Sequence, residues 1–176
     1  MTAKLRQRAI TGTPAFAHIA RIALLLLIYP ILAAHAECAN SHFAADALIA
    51  KWNERVTTAK LKAAWHLEKY SGLGFIRQNL DGTSLLFTAK VDKSGCVTRA
   101  DIKSRRADAD GFAAQVAWLF LIEATNPDLP KEQRIAVIKA LKLDQPDAGG
   151  SDKVNHVTYS YVEDTETNDL WAAPSD

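Results

Sequence analysis

The chain has 176 residues, 48% of them hydrophobic and 23% charged, with a formal net charge of +1. That length allows one domain with a real core and leaves little room for a second. The near-neutral balance excludes the strong basic excess of a general nucleic-acid binder.

The first 36 residues read as a cleavable secretory signal peptide. Lys4, Arg6, Arg8 and Arg21 form a basic flank with no acidic residue, and Ile22 to Ala34 is an uncharged apolar run. Ala34-His35-Ala36 places small residues where a signal peptidase reads, so cleavage is expected between Ala36 and Glu37. Pro30 interrupts the apolar run, and its 13 residues fall short of the roughly 20 that a spanning helix needs, so no stable membrane anchor is expected after cleavage. The flank lacks an adjacent Arg pair, which favours the general secretory route over the twin-arginine one. Glu37 before Cys38 argues against a lipoprotein signal. The expected destination is the periplasm or the exterior.

Residues 37–176 then form a single exported domain. All 20 acidic residues lie in this part, against 17 of the 21 basic ones, so its net charge is about −3. Its two cysteines, Cys38 and Cys96, are expected to pair in an oxidising compartment.

Asn40 or Ser41 is positioned to cap a helix in which Ala45, Leu48, Ile49, Trp52 and Val56 share one apolar face. Leu61, Ala63, Trp65 and Leu67 alternate, which favours a strand over 61–70 despite helix-forming composition. Asp81-Gly82 sits between Phe75–Leu80 and Thr83–Asp92 as the shortest hairpin signal. Leu85, Phe87, Ala89 and Val91 alternate with polar residues, Lys93-Ser94-Gly95 turns the chain, and Cys96–Lys103 returns as a third strand. Such a meander pairs antiparallel.

Asp110 is the expected cap of a helix over Gly111–Thr125 whose apolar residues, Trp118 and Phe120 among them, surround nearly its whole circumference. Such a helix is a central core element, or it leaves a groove or dimer surface partly open. Asn126-Pro127 ends it, and a second helix follows from Pro130 with Ile135, Ile138 and Leu141 as its stripe and Val137 widening it. Residues 145–152 read as a connector. Val154–Val162 reads as a strand with Val157, Tyr159 and Tyr161 on one face, and Leu170–Ala173 returns beside it.

The order predicts an α+β fold: one small domain with an antiparallel β-meander plus a C-terminal β-hairpin, covered by an N-terminal helix and a central helical hairpin. Exported chaperone-like and inhibitor-like domains share that general plan, an analogy of fold alone.

Familiar catalytic patterns fail. The chain has no Cys-x-x-Cys and no His-Glu-x-x-His, so no metal site is expected. Gly72-Leu73-Gly74 lacks the third glycine of a dinucleotide loop, which leaves no implied cofactor. His42, His66 and His156 are scattered, and no residue is assigned a catalytic role. Arg99, Lys103, Arg105 and Arg106 form the one basic cluster, a solvated strand end or a patch for an anionic partner.

Tyr159, Tyr161 and Trp171, with Trp118 and Phe120, are the candidate partner-binding residues, suited to a glycan or a peptide if exposed and to a core if not. The expected function is non-enzymatic binding of a protein or glycan outside the cytoplasm. The alternatives are an exported hydrolase with a site assembled from several strands, or a carrier of a small apolar ligand.

Overall fold

The computed structural model describes residues 38–80, 84–105, 111–143 and 149–176. Residues 36–176 separate as one compact unit. The segment expected to be an export leader, and the expected cleavage point between Ala36 and Glu37, lie outside the described residues.

The described residues form three α-helices and one six-stranded antiparallel sheet, so the α+β reading holds. Helix α1 spans Ala45–Thr58, α2 Phe112–Thr125 and α3 Lys131–Ala140. The strands are β1 Phe75–Asn79, β2 Leu86–Val91, β3 Val97–Arg105, β4 Gly150–Val154, β5 Val157–Glu163 and β6 Thr167–Pro174. Their spatial order is β1-β2-β3-β6-β5-β4, every pairing antiparallel. The meander and the C-terminal strands are joined edge to edge by β3 and β6, with Ile102 opposite Leu170 and Ala100 opposite Ala172.

Alternation sets the two faces of the sheet. Phe87, Ala89, Val91, Ala100, Ile102, Leu170, Ala172, Val157, Tyr159 and Tyr161 are buried beneath the helices. Trp52 of α1 anchors this core: its ring lies 5.2 Å from Phe87 and 5.7 Å from Phe120 of α2. Glu123, the one acidic residue of α2, is held by Arg55 of α1 at 3.2 Å and by Arg134 of α3, so one carboxylate ties three helices.

Cys38 and Cys96 form a disulfide across 58 residues. The chain just after Cys38 is stitched to the same place by its backbone. Ala44 bridges Cys96, and the Ala45 N–H donates to the Gly95 carbonyl at 3.0 Å. The covalent and backbone links together fasten the N-terminal segment to the β2–β3 turn.

Several local expectations change. Residues 61–70 are neither strand nor helix beyond a short 3₁₀ turn at Ala63–Trp65. Side chains, not a neighbouring strand, satisfy this backbone. Asn53 grips Leu67 at both its N–H (2.7 Å) and its carbonyl (2.9 Å), and the Trp52 indole donates to the Trp65 carbonyl at 2.7 Å. Gln78 binds Ala64, His66 and Glu68 in the same way. The alternation came from Trp65 and Leu67 plugging the core from an irregular strap.

Asn40 caps a 3₁₀ turn over Ser41–Phe43, and α1 begins later, at Ala45, without a side-chain cap. Helix α2 starts at Phe112 with Gly111 in the cap position; Asp110 lies outside the described residues. The first hairpin is longer than two residues, since the Leu80 N–H donates to the Leu85 carbonyl; its Asp81-Gly82 tip also lies outside the described residues. On α3 the buried residues are Val137 and then Leu141 just past its end, while Ile135 is exposed.

The connector proposed over 145–152 ends early, because Gly150-Ser151-Asp152 belong to β4. The single strand expected over Val154–Val162 is split by a two-residue turn, Asn155-His156, with φ of 49° and 62°. These are the values a type I′ hairpin demands, and Asn is a favoured residue there. Gly150 is required where β4 meets α3: a Cβ would run into the Ala140 carbonyl.

Candidate functional site

Helix α2 is unevenly covered. Its C-terminal half meets α1 through Phe120 and Glu123 and meets the sheet through Thr125, whose hydroxyl lies 3.0 Å from the Tyr159 hydroxyl. Its N-terminal half turns Phe112, Val116 and Leu119 outward at helical spacing, and Phe112 is 79% exposed. Ile138 on α3 and Leu143 beyond it face this row.

The result is a groove of about 320 Å³, open along one side and lined by Phe112, Gln115, Val116, Trp118, Leu119, Ile138 and Leu143. Gln115 is its one amide-bearing wall. Trp118 is almost fully buried and stacks edge-on against Tyr161 at 5.3 Å, and among the described residues its indole N–H has no hydrogen-bond partner. Lys139 and Lys142 are exposed beside Ile138 and Leu143. The site is therefore a groove whose walls are mostly apolar.

A second surface lies on the face of the sheet away from the described helices. Arg99 reaches Asp101 at 2.5 Å and Asp169 at 3.3 Å, and Lys103 reaches Asp169 at 3.5 Å. The Arg99 guanidinium also lies 4.8 Å above the Trp171 ring. Burial pushes the Asp169 carboxyl above its ordinary range, and the neighbouring Asp101 charge adds to the shift. The basic cluster noted in the sequence is thus largely internally neutralised at Arg99 and Lys103; Arg106 lies outside the described residues.

The aromatic candidates divide between these surfaces. Tyr159, Tyr161, Trp118 and Phe120 are buried, so they form core and groove floor, not an exposed recognition row. Trp171 stands opposite Ser160, hence on the other face of the sheet from the two tyrosines. Nothing in a single strand's alternation reveals that split, because the β5–β6 register decides it.

The histidines do not converge. His66 contacts the Thr57 hydroxyl at 3.2 Å, in the strap that binds β1 through Gln78, whereas His156 sits in the β4–β5 turn at the opposite edge of the sheet. Among the described residues no group of three His, Cys, Asp or Glu side chains is placed to hold a metal ion. No described helix is long and apolar enough to cross a membrane. The groove residues Phe112, Val116 and Leu119 were visible in the sequence only as the excess apolar circumference of α2, and Ile138 only as part of the apolar stripe of α3.

No family model, curated protein or solved structure matches the chain.

Proposed function

We propose that this protein is an exported, non-enzymatic binding module that docks an apolar segment of a partner protein in the groove between α2 and α3. One observation carries the reading: a half-covered core helix leaves Phe112, Val116 and Leu119 lining an open groove of about 320 Å³. Pockets of this size take a few side chains and are commonly apolar with few polar groups. The openness favours a segment of a larger molecule over a carried ligand, which needs enclosure. Export is supported by the leader composition and fits the Cys38–Cys96 bridge. The hydrolase alternative has less support, since His66 and His156 are apart and the Asp101–Asp169 pair is occupied by Arg99.

The test is affinity capture from an envelope extract with residues 37–176, wild type beside Leu119→Glu. The expected result is a partner retained by the wild type and lost with the variant. Recovery of no partner, together with wild-type activity on a hydrolase panel, would replace this reading with an enzymatic one.

A further inference from the structure

A different corner of the molecule presents apolar side chains without a groove. The loop before β1 reads Tyr70-Ser71-Gly72-Leu73-Gly74-Phe75, and Leu73 is 71% and Phe75 54% exposed. This loop is held in shape. Gly72 and Gly74 take φ of +83° and +80°, which only glycine adopts without strain. The Gly74 N–H donates to the Tyr70 hydroxyl at 3.0 Å, and its carbonyl accepts from the Val91 N–H at 2.8 Å. A loop fixed at both polar groups keeps two large apolar side chains in water at a standing cost.

Four exposed cations surround them. Lys90 is the direct cross-strand partner of Phe75, Arg77 follows on the same face, and Lys69 and Lys93 flank the loop and the adjoining β2–β3 turn. None of the four forms an ion pair among the described residues. Among the described residues the neighbouring acids are Glu68 and Asp92 in sequence and Asp101 across β2, which is paired with Arg99. Asp92 is committed to its own turn, accepting from the Ser94 hydroxyl and from the Ser94 and Cys96 N–H groups.

We infer that this corner is a reversible docking surface for an anionic membrane, with Leu73 and Phe75 entering the headgroup boundary and Lys69, Arg77, Lys90 and Lys93 facing lipid phosphates. A projecting apolar tip ringed by cations is the arrangement an anionic bilayer rewards, because insertion and surface charge add. An aliphatic leucine offers little to a sugar or a nucleic-acid base. The corner is separate from the α2–α3 groove and does not depend on it.

The experiment is co-sedimentation of residues 37–176, disulfide intact, with vesicles of phosphatidylcholine or an equal mixture of phosphatidylcholine and phosphatidylglycerol. Binding is expected to the mixed vesicles only, weakening by about fivefold for each cation neutralised in Lys90→Gln and Lys93→Gln. The Leu73→Ser/Phe75→Ser double variant, altered only at exposed positions, should bind on the order of 30-fold more weakly. Leu119→Glu should bind as the wild type does, which separates this surface from the groove. No binding to the mixed vesicles, or equal binding by the Leu73→Ser/Phe75→Ser variant, would overturn the inference. So would protein cross-links from position 73 in an envelope extract without vesicle binding, which would make the corner a protein site.

Discussion

Tyr159 shows what single residues contribute. It lies at the centre of β5 beneath α2, and burial raises its phenol to about 12. Its hydroxyl shares a hydrogen bond with Thr125, which also donates to the Leu121 carbonyl at 2.7 Å. Tyr159→Phe should therefore cost only about 1 kcal/mol in urea unfolding, because Thr125 keeps a partner. Two aspartates respond oppositely to pH. Asp169 is raised by burial, so it opposes folding increasingly as pH rises from the ordinary carboxyl range through its folded value. Asp164 is lowered, chiefly by the Thr167 N–H, so its contribution is present at neutral pH and lost as pH falls through its folded value. Carboxyl NMR titration should show Asp169 titrating at higher pH than Asp164; the reverse order would contradict the assigned surroundings. At this scale the sequence identified which residues were aromatic or paired in type. It did not separate Trp171 from Tyr159 and Tyr161, because the face a side chain occupies depends on partners brought from elsewhere in the chain.

Among the elements, the strap over 61–70 is the most instructive. Its alternating Trp65 and Leu67 are buried as a strand would bury them, but its hydrogen bonds come from Asn53, Trp52 and Gln78. Asn53→Ala removes both bonds to Leu67 and should cost about 2 kcal/mol. Hydrogen exchange should accelerate at the Leu67 amide while the β2 and β3 amides stay protected; unchanged exchange at Leu67 would contradict the strap. The Asn155-His156 turn gives a prediction of opposite sign. His156 holds φ of 62°, so His156→Gly should stabilise the protein by about 0.5–1 kcal/mol, read as a higher denaturation midpoint. Regular periodicity made α1, β2 and β3 readable. The β4–β5 turn was missed because Asn-His is a weaker signal than Asn-Gly, and β4 because Gly150-Ser151-Asp152 has connector composition.

For the whole molecule, the disulfide was legible from two cysteines following a segment read as an export leader, and the fold class from the order of elements. The six-strand sheet order was not, because the β3–β6 pairing spans the helical hairpin and leaves no local trace. Removing the bridge with Cys38→Ser and Cys96→Ser should lower stability by about 4 kcal/mol from the loop it closes. Function was the least legible level, since the groove exists only where α1 stops covering α2. The central claim is that this groove docks a partner segment. Its most direct test places a photo-reactive amino acid at position 119, and at position 162 on the opposite face, in cells producing the protein. The account predicts a discrete adduct with an envelope or secreted protein from position 119 and none from position 162. An adduct from position 162 with none from position 119 would contradict it.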